Sequence, residues 1–285
     1  NHLSKRETND ALVYYDVAIS RDGENYLTYF KRGATYLSLG KSAQAIADFD
    51  KVLSIKPGFE SALVQRAKIK ARNGDWDGSK KDFLAQGKSA SDLAQLEEAR
   101  KASILAAEAE MDGKWTDCVI HASNAILVAS QFVSMRKTRA RCRLELGDTE
   151  HGINDLRHII QVQPGMTDPH LQASATLFYG LSDTENGIDQ LRKCLYYDPE
   201  SKTCKDLYRR EKTLEKQIAQ VKSNLERKML ATALKTLLPY NGELGLVQEI
   251  KNDIEELNKA KTMVGKTPNK LLAMALGMTC KAYYL

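Results

Sequence analysis

The 285 residues carry 42 Lys and Arg against 37 Asp and Glu, a formal charge of +5, with 42% hydrophobic and 28% charged residues. That balance is ordinary for helical, water-exposed protein, and no apolar run approaches the ~18–20 residues a bilayer span needs, so no membrane span is expected. The positive excess lies in residues 201–285, where 16 Lys and Arg face 9 Asp and Glu. No aromatic-studded basic motif accompanies it, so it reads as a solvated helix face, and no nucleic-acid partner is expected.

A 34-residue period runs through the chain. Ala11, Ala45 and Ser79 share one slot and Tyr15, Phe49 and Phe83 another; Gly40 and Gly74 mark turns, and Trp76 and Trp115 each stand two residues beyond such a glycine. This pattern resembles the tetratricopeptide repeat (TPR), in which each unit is a helix hairpin that must stack on its neighbours to bury its apolar stripe. The fold expected is therefore all-α, a TPR superhelical solenoid of stacked antiparallel helix hairpins, about eight of them over this length. Such an array is a binding scaffold rather than an enzyme.

By register, Asn1 falls at the tenth position of a repeat, so most of that repeat's first helix is expected to be missing. Residues 26–59 form the clearest unit, with Tyr29, Gly33, Tyr36, Gly40, Ala45, Phe49 and Pro57 at the positions that pack one helix on the next. Small Gly33 and Ala45 permit close approach, and Pro57 ends the second helix because its ring cannot continue the ladder. Residues 60–93 repeat the plan. The next unit, about 99–132, starts five residues late, so that KSASDLAQLEEARK either lengthens its first helix or marks an omitted loop. Units at 133–167 and 168–201 resume the register.

After Pro199 the pattern loosens. Glu200–Leu238 holds no glycine or proline, so a longer helix is expected, and Ser223 with Glu226 resembles a capping box at which a helix restarts. PYNGELG (239–245) and GKTPNK (265–270) read as turns, which predicts further helices near 245–263 and 268–284. The organisation expected is three subdomains, residues 1–98 with a truncated first repeat, 99–201, and 202–285, which is incomplete and preceded by an extended helix.

Chemistry is sparse. The five histidines are scattered, no Ser-His-Asp or Cys-His grouping has a nucleophile's context, and no phosphate-cradling glycine loop occurs. Cys118 and His121 share a helix face, but two ligands without a second pair make a poor zinc site. No catalytic residue, metal or cofactor is expected. Function then falls to the inner surface lined by first helices. In residues 26–38 its positions are Leu27, Phe30, Lys31, Ala34, Leu37 and Ser38, an apolar floor that fades in the next repeat into Ser61, Val64, Gln65, Lys68, Ala71 and Arg72. Two readings stay open: the floor binds apolar polypeptide, or it packs against the missing helix. Cytosolic TPR proteins that grip acidic chaperone tails use an Asn, a Lys and an Arg at slots that here hold Lys31, Ser61 and Gln65. Without the paired cations, a tail clamp is not expected.

Cys194 and Cys204 flank a short turn in RKCLYYDPESKTCKDLY, and either lie within bridging distance or are small buried hydrophobes. The segments GDWDGSKKDF, GDTEHGINDL and above all LRKCLYYDPESKTCKDLYRREK resemble the TPR region of the endoplasmic-reticulum lumenal co-chaperones that carry a C-terminal J domain and are named for inhibiting the interferon-induced protein kinase. The resemblance implies three subdomains of three repeats and a disulfide between Cys194 and Cys204. It also implies that Cys280 corresponds to half of a second bridge whose partner lies beyond Leu285. It further implies client binding at Leu27, Phe30, Lys31, Ala34 and Leu37, with unfolded or misfolded polypeptides as partners. Delivery to the lumenal chaperone BiP would use a J domain outside this chain, whose His-Pro-Asp tripeptide is absent here, within the unfolded protein response. The alternative is a cytosolic or nuclear TPR scaffold for one dedicated partner such as a kinase.

Overall fold

In the computed structural model, residues 2–87, 90–263 and 265–284 are described, with backbone only for residues 2–7. Among them fifteen α-helices follow one another: α1 (His2–Arg21), α2 (Tyr26–Ser38), α3 (Ser42–Ile55), α4 (Glu60–Arg72), α5 (Trp76–Gln86), α6 (Ala90–Met111), α7 (Trp115–Val128) and α8 (Val133–Leu146). The remainder are α9 (Thr149–Val162), α10 (Thr167–Ala175), α11 (Thr184–Tyr197), α12 (Lys202–Glu226), α13 (Leu230–Leu237), α14 (Leu246–Lys259) and α15 (Lys270–Tyr284). A π-helical turn, Thr176–Gly180, continues α10. The only pairing outside helices among the described residues is an isolated bridge between Tyr240 and Glu243.

Helices α2 and α3, α4 and α5, and α8 and α9 pair as antiparallel hairpins, each stopping two residues short of a proline or at a left-handed glycine. Gly33 is the contact point of the first pair: a Cβ built there would stand 2.9 Å from the Phe49 ring. Phe49, Ala45 and Val52 are fully buried there, with Tyr26, Tyr36 and Phe59 packed around them. Burial of Phe49 alone contributes about 1.5–3 kcal/mol. Ser79 occupies the slot held elsewhere by alanine, and its buried hydroxyl donates to the Ala67 carbonyl at 2.9 Å.

A second device ties the hairpins. The Arg32 guanidinium donates to both oxygens of buried Asp48, at 2.9 and 2.6 Å, and to Asp16 at 2.7 Å. Arg66, one repeat later, makes the same fork to Asp82 and reaches Asp50. Arg139 repeats the fork on buried Asp155, joined there by Arg136 and Arg143. Planar guanidinium matches carboxylate with two parallel bonds, which sets the angle as well as the spacing of the two helices.

The chain divides into two compact units, the first comprising residues up to Leu105 with Ser123–Phe132, the second Ala106–Ala122 with Val133–Leu285. Helices α6 and α7 thus contribute residues to both, and the 98/99 junction expected from the repeats lies inside α6. The late start of the third full unit is resolved as a lengthened helix, α6 spanning 22 residues; Lys88 and Ser89 lie outside the described residues.

Helix α1 runs unbroken for 20 residues. Two local expectations need correction. No helix starts at Ser223. Helix α12 continues through it to Glu226, and the reversal comes at Arg227–Met229, where Lys228 is left-handed and the Met229 N–H donates to the Asn224 carbonyl. The sixth unit is not a plain helix pair, because its first helix widens into the π turn, whose residues Thr176–Gly180 are all buried.

In the second unit, a large core gathers side chains from the π turn and α11 to α15, including Tyr179, Leu191, Leu214, Ile250 and Leu271. Buried polar groups cross it. Tyr179 donates to Asp253 at 2.9 Å, and Arg210 donates to Asp253 and to Glu256.

Candidate functional site

Helix α2 of the first unit carries the residues singled out from sequence, and the helical period sorts them into two rows. Leu27, Lys31, Ala34 and Ser38, at steps of four, three and four, are exposed, Leu27 to 45%. Phe30 and Leu37 are half-buried and turn into the hairpin core. The Phe30 ring stands edge-on to Phe59 at 5.3 Å and tilted against Phe49 at 5.8 Å, so much of its apolar surface is already spent. The apolar floor read as continuous is thus a narrower stripe of Leu27 and Ala34 interrupted by the Lys31 ammonium. Helix α1, packed on α2, exposes Val13, Tyr14 and Val17, a second apolar stripe in the same unit. The periodicity of α1 held that signal.

Farther along the first unit, two clefts adjoin. One of about 160 Å³ is lined by Lys68, Arg72, Asp92, Gln95 and Val128, and one of about 380 Å³ by Gln95, Glu98, Asn124, Leu127 and Val128. The wall they share is formed by Gln95 and Val128, and the turn after α4 is set by Gly74. With φ at +81° it admits the Phe132 ring to within 2.6 Å of where a Cβ would stand, and Phe132 in turn meets Trp76 edge-on at 6.0 Å. The Gln131 N–H donates to the Arg72 carbonyl, fastening the end of α7's segment to α4.

Cys194, in the last turn of α11, is bonded to Cys204, in the first turn of α12, with Cα atoms 6.5 Å apart. Sequence reasoning missed a second bridge, Cys118 to Cys142, which joins α7 to α8 with both residues fully buried. Cys118 therefore offers no thiolate to partner His121 on a metal. Cys280 is exposed and free, so one free thiol is expected per chain. Among the described residues, no three His, Cys, Asp or Glu side chains are grouped to hold a metal ion, and no helix is long and apolar enough to cross a membrane. His170 is fully buried and donates Nε2–H to the Pro164 carbonyl; burial pushes its pKa down, against the pull of that bond.

Acidic groups are handled differently along the chain. Burial raises the Asp82 carboxyl, but bonds from Arg66 and Lys70 outweigh it and hold the group below its ordinary 3.8. Glu211, fully buried, is pushed well above its ordinary 4.5 by desolvation, with Asp253 adding to the rise and Ser174 and Arg210 opposing it. Ser174 Oγ lies 2.9 Å from Glu211 and 2.7 Å from the Gly187 carbonyl. A neutral Glu211 resolves this set: its O–H donates to Ser174, whose own O–H donates to Gly187.

Residues 26–59 match the tetratricopeptide repeat family. The chain is 48% identical over 284 residues to the tetratricopeptide repeat and J domain-containing co-chaperone DNJ1 of Fusarium oxysporum f. sp. lycopersici, covering 99% of this chain and 54% of that protein. Identity to DnaJ homolog subfamily C member 3 of Homo sapiens is 28% over 226 residues, covering 76% of this chain and 45% of the relative. The fold matches the crystal structure of the P58(IPK) TPR domain with a TM-score of 0.72 at 23% identity, over 99% of this chain and 84% of that one. The chain spans about half the length of the curated relatives it matches. The chain has the tetratricopeptide-repeat fold and is similar along nearly its whole length to co-chaperones whose names combine such repeats with a J domain.

Proposed function

We propose that this chain is the client-binding region of an endoplasmic-reticulum lumenal J-domain co-chaperone, which holds unfolded or misfolded polypeptides and delivers them to BiP through a J domain outside the 285 residues. The observation that carries the reading is the exposed stripe of Leu27, Lys31 and Ala34 on α2, together with the exposed Val13, Tyr14 and Val17 on α1, the helix that packs on it. Folded surfaces scatter large apolar side chains singly, so four of them exposed on two successive helices, Val13, Tyr14, Val17 and Leu27, are where apolar polypeptide gains by leaving water. With few fixed hydrogen-bond partners on the stripe, binding is broad and weak, as a holdase requires. Phe30 and Leu37 support the stripe from beneath. The two disulfides support an oxidising compartment.

The test uses Leu27→Asp with Ala34→Asp, both at exposed positions whose side chains pack nothing essential. Suppression of aggregation of a chemically denatured client is expected to be lost while the helical circular dichroism is kept. Unchanged protection would refute the assignment of the stripe. The competing reading, a reduced intracellular scaffold, is separated by titrating thiols on the denatured, unreduced protein. One thiol per chain fits the lumenal reading, and five fit the scaffold.

A further inference from the structure

We propose that the first unit carries a second peptide site, a groove between α4, α6 and α7 that takes an extended segment in which an acidic residue neighbours an aliphatic one. The proposal rests on the reading of the chain as a client-binding array and supplies the client chemistry which that reading leaves open. The two clefts of about 160 and 380 Å³ share Gln95 and Val128, so they adjoin along one groove face, wholly within the first unit.

Three features define the occupant. At one end Lys68 and Arg72, four residues apart on α4, are both exposed, and among the described residues neither side chain forms an ion pair or hydrogen bond. Asp92 on the facing wall offsets one of these charges, which leaves a cation to receive a carboxylate. Val128 at the junction of the clefts and Leu127 beyond it, 83% exposed, offer an aliphatic surface. Between the ends, the exposed amides of Gln95 and Asn124 likewise bond to nothing in the described structure. A side-chain amide presents both a donor and an acceptor, which suits the N–H and C=O of an extended main chain. A helix would waste those amides, because its backbone groups are already paired internally. Nucleic acid is disfavoured by Asp92 and Glu98 in the walls and by the lack of an exposed ring on which a base could stack.

Two fluorescein-labelled decapeptides that differ only in their core, Asp-Leu-Val-Asp or Lys-Leu-Val-Lys, test this by fluorescence anisotropy on the intact chain. The acidic peptide is expected to bind more tightly, and to weaken as salt rises because the cations are exposed. Lys68→Glu with Arg72→Glu should cost it about tenfold and favour the basic peptide instead. Leu127→Asp should weaken both peptides. Equal affinity of the wild type for the two peptides, or an unchanged affinity of the charge-reversed variant for the acidic one, overturns the proposal. Client protection is scored separately in the Leu27→Asp, Ala34→Asp variant, so that the two sites fail independently.

Discussion

The repeats of the first unit and the core of the π turn and α11 to α15 in the second both bury carboxyl groups, and they do so in opposite ways. Asp48 and Asp82 meet a guanidinium fork at the same place in successive repeats, and the fork holds the Asp82 carboxyl below its ordinary range. Glu211 faces a serine instead, with Asp253 nearer in effect than any cation, and burial keeps it neutral. A unit that recurs every 34 residues can reuse one matched ion pair as a fastening, because its partner recurs too. A core assembled once from five helices and a π turn has no such partner, and it satisfies the desolvated group by leaving the proton on.

Breaking one fork is the severest test of that contrast. Asp82→Ala strands Arg66 and Lys70 without their shared carboxylate and is expected to cost about 3–5 kcal/mol in chemical denaturation. The same carboxyl gives the repeats an acid limit. Its folded pKa lies below 3.8, so its contribution is complete above that pH and is lost as pH falls through the folded value. The Asp82→Asn variant should lose that acid sensitivity.

Next in size are the bridges. Closing the 24-residue separation of Cys118 and Cys142 is worth about 3.5 kcal/mol in the chain-entropy model, against about 2.7 for the 10-residue separation of Cys194 and Cys204. Serine pairs at each bridge, compared by urea unfolding, should rank in that order. A ranking in reverse would mean that the unfolded chain is not what the first bridge restrains.

The neutral carboxyl makes the second unit respond to pH in the sense contrary to Asp82. The folded Glu211 keeps its proton above 4.5 where the unfolded chain releases it, so stability falls as pH rises through that window, by at most about 1.4 kcal/mol per pH unit. Glu211→Gln should flatten the decline and raise Tm more at pH 8 than at pH 5; equal shifts at both would contradict a protonated Glu211. Smallest of all, Leu27→Asp should change stability by no more than about 0.5 kcal/mol, since its side chain is exposed. Its predicted effect is on client binding alone.

The helix hairpins of residues 26–87 were legible because their apolar slots recur, and the helices after Leu238 because glycine and proline bracket them. The Arg–Asp forks were equally periodic, with Arg32 and Arg66 a repeat apart and Asp48 and Asp82 likewise, but a search for apolar slots passes over charged ones. The restart at Ser223 failed because a capping box is a local preference that a helix packed along its length overrides: Val221, Asn224 and Leu225 are buried on one continuous face. Of the candidate stripe, the chain identified the helix and the residues. It did not show that Phe30 and Leu37 point inward, which follows from the position of Phe59 in the next helix start.

Sequence by itself determined the all-helical repeat and the boundaries of most hairpins, because each depends on residues within one 34-residue unit; it left Cys194 and Cys204 open between a bridge and two buried hydrophobes. Tertiary structure alone decided the rest: which side of α2 faces water, the pairing of Cys118 with Cys142, the protonation of Glu211, and the groove formed by α4, α6 and α7. Each of these depends on groups more than a helix apart in the chain, where spacing carries no signal and only packing sets distance and dielectric environment.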